Sequence, residues 1–483
     1  MRNTILLHRW LGVIACVAVL MFASSGLLHP VMSWLQPQPA QFMPPRVDMP
    51  AQAVSLREVL ERHGIANFSA AIAAQLPQGS AYRVQTESGA RYFAIADGAE
   101  VIDGERQHAE FLARHFLGDS AGEILASQHI TRFDSEYVFV NRLLPAWRVD
   151  FARDDGIRVY VDTAGNRLAT LTDTRKRWMQ AYFRALHDFD FIGEQGFFGN
   201  GNVIRVALML VLLTATFATA VFGVVMYVRL KRAAQRLQRL GTRRWHRRLS
   251  LAVAVVTFSF TVSGAWHLLQ GELDTPVPAA QSIAFQSDTL GKAIPPGAFT
   301  LLQVDGVPCF RVSASRTAMQ AAAGNEHAHH NHSASTGSAP PEPACLDTAQ
   351  LQPIETAERR RAEQLARHYA QSASAIDELT QVTRFEGEYG FINKRLPVWK
   401  VRFAGDSARW YVETATGALA LRADDAAARE GWVFSIFHKA RFISDDFKTV
   451  RDVFLMVAAF ACIVVVLLGM VLFVRGWQRN AIT

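Results

Sequence analysis

The sequence predicts an α-helical membrane protein: four transmembrane helices in two parallel repeats, each repeat carrying an extracytoplasmic α+β domain. Three observations predict it. Four uncharged stretches, Leu11–Leu28, Val206–Val228, Leu249–Trp266 and Val453–Val474, reach the length of about 18 apolar residues that a bilayer core requires. Long sequence motifs of the first half return in the second. Six histidines stand at matching places near the ends of the apolar stretches.

The composition fits alternating apolar spans and water-soluble domains. Half of the 483 residues are hydrophobic, yet 19% are charged. The net charge of +7 is no nucleic-acid signal, because the basic residues are concentrated in one place. Arg229 to Arg248 holds nine Lys or Arg and no acid, which reads as a cytoplasmic loop between two spans. Arg2 and Arg9 flank the first span and Arg475 and Arg479 follow the last, so both termini are expected on the cytoplasmic side of a bacterial inner membrane.

The expected order is helix 1 in 1–34, an extracytoplasmic domain in 35–180, a histidine segment and helix 2 in 181–230, and the basic loop in 231–247. Helix 3 in 248–271, a second domain in 272–430, and a histidine segment with helix 4 in 431–483 complete it. A removable signal peptide is the rival reading of the first span, with its basic start and small residues Ala23 to Gly26. Its counterpart Leu249–Trp266 is internal, which favours a retained helix.

The repeat is visible directly. Arg132-Phe133-Asp134-Ser135-Glu136-Tyr137 returns as Arg384-Phe385-Glu386-Gly387-Glu388-Tyr389, and Asn141 to Arg148 returns as Asn393 to Lys400. Tyr160-Val161-Asp162-Thr163 matches Tyr411-Val412-Glu413-Thr414, Ser25-Gly26 matches Ser263-Gly264, and Gly223 matches Gly469. An even number of spans per unit makes the repeat parallel about an axis along the membrane normal. In the first domain, Ser55–His63 reads as a helix with a Ser cap and Glu58 three residues on. Ala146–Phe151, Ile157–Asp162 and Arg167–Thr172 read as strands, as do Val398–Phe403 and Arg409–Glu413 in the second. The paired Trp147/Trp399 and Tyr160/Tyr411 read as core residues.

Histidine at membrane depth is costly, so its repetition asks for a role. His8 and His29 bracket the first span, and His246 and His267 bracket the third. His187 precedes the second and His438 the fourth. Each bracketing pair is 21 residues apart, about 31 Å of helix, which sets one imidazole at each face of the bilayer core. Imidazoles from facing helices are natural axial ligands for a buried haem iron. Symmetry lets His8 meet His246 on the cytoplasmic side and gathers His29, His187, His267 and His438 on the other. A lone interfacial histidine is ordinarily an anchor or cap, and the arginines beside His8 and His246 fit that role. Recurrence favours ligation most for the other four. His63, His108, His115, His129 and His368 read as surface residues.

On Leu7-His8-Arg9-Trp10-Leu11-Gly12, Ala185-Leu186-His187 and the run from Trp147 to Leu168, the chain resembles the PepSY-associated transmembrane proteins over nearly its whole length, twice over. Members are similar to iron-regulated inner-membrane proteins, some of them di-haem reductases of ferric siderophores. The resemblance implies PepSY-like domains, two b-type haems and electron transfer to a periplasmic ferric chelate, which ferrous iron then leaves more readily. No Cys-x-x-Cys-His occurs, so covalent haem attachment is excluded. No nucleotide fingerprint, Walker loop, zincin or hydrolase motif is present, and a quinol or another protein would supply the electrons. Two other classes stand beside this reading: a non-enzymatic PepSY regulatory or binding protein, and a metal-handling transport accessory.

Cys16 and Cys462 lie inside spans and read as packing residues. Cys309 and Cys345 flank a low-complexity insert, 321–343, and are expected to form a disulfide, with a thiol metal site as the rival. Within the insert, His327, His329, His330 and His332 read equally as a linker or a metal-gathering loop. Gly193, Gly196, Gly199 and Gly201 read as a flexible approach to the bilayer.

Overall fold

The computed structural model describes residues 2–193, 201–235, 241–271, 283–312, 342–385 and 387–480. Four long helices form a ring: α1 (Arg2–Leu35), α5 (Gly201–Gln235), α6 (Thr242–Gly271) and α9 (Lys448–Asn480). Within them, Asn3–Leu35, Asn202–Arg229, Thr242–Gln270 and Lys448–Gln478 are long and apolar enough to cross a membrane. With no water available in a bilayer core, a helix is the single-segment solution that satisfies its own backbone. Helix α1 packs on α5 and α9, and α6 packs on the same two from the other side. The chain starts and ends at one end of this bundle, and the soluble parts sit at the other, the domain end.

The soluble part holds α2 (Leu56–Arg62), α3 (Gly104–Leu117) and α7 (Ala357–Ala370) with three main sheets. Helix α2 begins where Ser55 and Glu58 form the expected capping box, satisfying two orphan amides at once. Two sheets are sequential antiparallel meanders. The first runs β5 (Ile124–Ile130), β6 (Ala146–Phe151), β7 (Arg158–Asp162), β8 (Arg167–Thr172), with α3 across it. The second runs β13 (Ile376–Val382), β14 (Val398–Phe403), β15 (Arg409–Val412), β16 (Leu419–Ala423), with α7 across it. The two correspond in detail. Tyr137 donates to Leu143 O at 2.7 Å and stacks on Tyr160 at 4.7 Å; Tyr389 donates to Arg395 O at 2.8 Å and stacks on Tyr411 at 4.8 Å. Arg142 and Lys394 both take positive φ, and a cis Leu-Pro bond follows each, at Leu144-Pro145 and Leu396-Pro397.

The third sheet departs from the expected pair of separate domains. Its six strands are ordered β12 (Ala344–Asp347), β11 (Val307–Val312), β10 (Phe299–Val304), β2 (Ala70–Leu76), β3 (Gly79–Thr86), β4 (Gly89–Ala94). Three come from each half, and they join where Thr300 of β10 faces Ile72 of β2. β1 (Asn67–Phe68) and β9 (Phe285–Gln286) pair across the halves as well. The core beneath mixes Val59, Leu60 and Phe93 with Phe285, Phe299 and Phe310. Two three-stranded sheets would each expose an inner edge, and pairing β2 with β10 removes both.

Cys309 and Cys345 form a disulfide with Cα atoms 5.6 Å apart, joining β11 to β12. Trp399, Tyr160 and Tyr411 are buried as expected and Trp147 is half-buried. Gly193 closes a short turn and Gly201 opens α5, whereas Gly196, Gly199 and the insert histidines His327, His329, His330 and His332 lie outside the described residues. The surface expectation fails for His108. It is fully buried on the inner face of α3, where Tyr92 Oη and its Nδ1 are 2.9 Å apart. Burial pushes its pKa down to about 3, so this imidazole is neutral.

Candidate functional site

The six repeated histidines occupy two levels of the bundle. At the end carrying the termini, His8 on α1 and His246 on α6 are brought together, with ring centroids 6.5 Å apart and planes at 59°. Each ring is fixed from behind by a neighbouring span. His8 Nδ1 donates to Thr219 O of α5 at 3.0 Å, and His246 Nδ1 donates to Val465 O of α9 at 3.0 Å. A carbonyl only accepts, so the proton sits on Nδ1 and the lone pair on Nε2. Four residues on from each carbonyl stands a glycine. A Cβ on Gly223 would lie 3.4 Å from His8 Cε1, and one on Gly469 would lie 3.2 Å from His246 Cε1. These glycines let the imidazoles settle against the helix backbone.

At the domain end the second pair is built from short helices that rest on the spans. Helix α4 (Thr174–Phe183) packs on α1 and runs into a π-helical turn, Arg184–Asp188, that holds His187. Helix α8 (Asp425–Phe437) packs on α6 and ends at His438. Asp173 and Asp424 cap the two helices through Lys176 N at 2.6 Å and Ala427 N at 2.8 Å. His187 and His438 have centroids 6.3 Å apart and planes at 85°.

Their rings are anchored by the matched serines. Ser25 Oγ gives its hydrogen to Met21 O at 2.8 Å and so accepts from His187 Nδ1 at 3.0 Å. Ser263 Oγ gives its hydrogen to Ser259 O at 2.6 Å and accepts from His438 Nδ1 at 3.1 Å. Both serines are buried. One turn before each histidine a phenylalanine lies flat on the ring, Phe183 on His187 and Phe434 on His438, each at 4.6 Å. Burial, reinforced by the neighbouring histidines, pushes His187 down to about 4 and His438 to about 3. Both imidazoles are therefore neutral at physiological pH, the form with a lone pair to give.

The remaining two histidines are not brought into a ring pair. His29 lies against Phe183 at 5.9 Å. His267 stacks on Phe434 at 4.1 Å, and its Nδ1 meets Glu430 Oε1 at 2.6 Å, with the imidazole half-exposed. The expected gathering of four is thus a central pair, His187 and His438, with one outer histidine behind each phenylalanine.

Two imidazoles on one metal ion stand at a characteristic separation. Metal–nitrogen bonds of ~2.0 Å, with each nitrogen ~1.2 Å from its ring centre, set the centroids about 6.4 Å apart when the two bonds are opposed. The observed separations, 6.5 and 6.3 Å, are close to that distance, and in both pairs Nδ1 is spent on a backbone or hydroxyl oxygen. Among the described residues no group of three or more His, Cys, Asp or Glu is arranged to hold an ion by itself. The bundle thus carries two imidazole pairs with matched anchors, one at each end.

The family model for the PepSY-associated TM region matches residues 5–479. The chain belongs to this family. Among curated proteins none matches it significantly. A PepSY-associated TM region agrees with the four helices long and apolar enough to cross a membrane. Residue types alone did not reveal Thr219, Val465, Phe183 or Phe434 as parts of the site. The usable signal was spacing: Phe183 and Phe434 each stand four residues before their histidine, and Thr219 and Val465 four before their glycine.

Proposed function

We propose that this PepSY-associated protein is a b-type haem protein of the bacterial inner membrane that passes electrons to ferric chelates, ferric siderophores above all, on the side of its soluble domains. The observation that supports it most is the pair of imidazole pairs, one at each end of the bundle, at separations of 6.5 and 6.3 Å. His8 with His246, and His187 with His438, are the ligand sets. Haem, when bound, supplies one-electron transfer at a potential set by its ligands and surroundings.

The chain's own residues do the rest. Thr219 O, Val465 O, Ser25 and Ser263 fix each imidazole's proton on Nδ1 and its orientation. Gly223 and Gly469 make room for the rings, and the apolar spans exclude water from them. His267 with Glu430 stands beyond Phe434 at the domain end, where a chelate arriving from the soluble side would meet them. The basic residues between α5 and α6 put the termini on the cytoplasmic side in this reading. The matched halves are then two copies of one span, domain and span unit.

The test is a dithionite-reduced minus oxidised spectrum of purified protein made with ample haem, with pyridine haemochrome quantitation. About two b-type haems per chain are expected, and H246A or H438A should each remove roughly half of them. A flat spectrum sinks the reading. Metal content without porphyrin would instead favour direct ion binding, for which His267 and Glu430 are the starting point.

A further inference from the structure

Two lysines from different halves converge on one strand edge above the His187 and His438 pair. Strand β8 is the outer strand of its sheet, so one row of its carbonyls has no strand partner. Lys176, in the first turn of α4, donates from Nζ to Leu171 O at 2.8 Å. Lys394, beside the short 3₁₀ turn Phe391–Asn393 of the other half, donates from Nζ to Ala169 O at 2.8 Å. Ala169 is the extra residue of a β-bulge in β8, where the pairing passes from Thr170 with Tyr160 to Leu168 with Val161, and Leu171 follows two residues later.

Two ammonium groups meet there, and the carboxylate acting on them is Asp173, at Lys176. An ammonium has three hydrogens, and each of these lysines spends one on a carbonyl. The carboxylates close by are committed elsewhere. Asp173 caps α4 through Lys176 N at 2.6 Å, and Glu413 is held by Arg167 at 2.8 Å and Arg395 at 2.6 Å. Among the described residues no carboxylate forms an ion pair with Lys394, and the charge acting on it is that of Lys176. Burial pulls both pKa values down to about 8, helped at Lys394 by the like charge of Lys176 and opposed at Lys176 by the Asp173 carboxylate. Both remain cationic at neutral pH, in an arrangement that an anion would relieve.

We propose that Lys176 and Lys394 form a binding site for an oxyanion, a phosphate or carboxylate group held between the two halves. One such group can serve both lysines: two of its oxygens, each ~2.8 Å from an ammonium, span up to about 8 Å between nitrogens. Lys176 precedes His187 by eleven residues of mostly helical chain, about 16 Å, which puts the site on the soluble side of the histidine pair. The alternative, that the lysines merely cover a strand edge, uses one hydrogen from each and calls for no ligand.

The experiment titrates the purified full-length protein in detergent with sodium phosphate at constant ionic strength and follows thermal unfolding. A parallel arm extracts and quantifies phospholipid bound to the same preparations. Wild type should show a saturable rise in melting temperature, and K394R should keep it. K394M and K176M should weaken the apparent phosphate affinity at least about tenfold. One tightly held phospholipid in wild type that is lost in K394M would support the site equally and assign the oxyanion to a lipid headgroup. Wild type with neither a saturable rise nor bound phospholipid overturns the proposal. So does a phosphate response in K394M equal to that of wild type, since an edge cap would change stability without changing that response. Should K394M fail to fold, K176M reads the same question.

Discussion

In the first half, Glu105 at the start of α3 accepts from Arg83 at 3.0 Å, from Tyr92 at 2.7 Å and from Thr163 at 2.6 Å. In the second, Glu358 at the start of α7 accepts from Arg311 at 2.8 Å and Thr414 at 2.7 Å, with no tyrosine. Both carboxylates tie the shared six-stranded sheet to a meander through its helix, so the joint is common to the halves. Its surroundings are not. Three residues on stand His108 and Arg361, both buried. One residue before stand Gly104 and Ala357, and a Cβ at Gly104 would collide with Tyr92. Only the second half adds a disulfide beside its joint. The ring pairs in the bundle, by contrast, match atom for atom in their anchors. What the halves share is therefore the charge joint and the imidazole geometry, while the packing around each joint has diverged.

Breaking the joint is the strongest probe of that divergence. E358A leaves Arg311, whose side chain is 7% exposed, dry and unpaired, and should destabilise the α7 region by about 3–5 kcal/mol. E105A should cost less, because the Glu105 side chain is 20% exposed and water can reach Arg83 once it is gone. Hydrogen exchange of α7 and α3 measures the two, and equal losses would remove the distinction. Acid makes the same comparison without mutation. Despite burial, which pushes the other way, Arg83 holds the Glu105 carboxyl at about 2 and Arg167 holds Glu413 at about 2. A folded-state pKa below the unfolded value of about 4.3 gives stability that is complete above that value and lost as pH falls toward 2. Protection of α3 and of the meander contact at Arg167 should therefore decline together through that window, and a decline confined to pH above 5 would contradict it.

The disulfide sharpens the contrast from the other side. It closes a separation of 36 residues, and C309S with C345S should cost about 4 kcal/mol by freeing the unfolded ensemble. The loss should fall on β11, β12 and α7, with β3 and β4 unchanged in exchange. Next in size is the glycine. G104A forces a methyl into Tyr92 and should cost about 2 kcal/mol, whereas A357G should cost only about 1 kcal/mol through helix propensity. Comparable effects of the two would mean that Tyr92 yields easily.

Local signals carried much of this architecture. The charge-free apolar runs, the Ser55 and Glu58 spacing, and the alternation in Ala146–Phe151 and Val398–Phe403 each depend on neighbours in the chain. So did the six histidines, whose recurrence is a sequence fact. The β2 and β10 junction was not legible, because pairing across more than two hundred residues leaves no local mark on either strand. His108 misled because the polar residues around it on α3 suggest exposure, while its own face meets Tyr92. Nothing local singles out Lys176 and Lys394, because they come together only where the two halves of the chain meet on one edge.

The finest probe returns to the feature the halves share. S25A and S263A each remove one acceptor from an imidazole Nδ1 and leave Nε2 and the backbone untouched. A lost hydrogen bond of this kind costs about 1 kcal/mol, too little to unfold the bundle. Its consequence should appear in the ring: with Nδ1–H unpaired, the tautomer and orientation of His187 or His438 are less firmly set, and ligand basicity falls. In a haem-loaded protein the reduction potential of the domain-end centre should shift in both variants by similar amounts, and that of the His8 and His246 centre should stay fixed. A shift in both centres would mean that the serines act through the bundle as a whole. Unequal shifts would mean that Glu430, which reaches His267, already makes the two sides of the centre different.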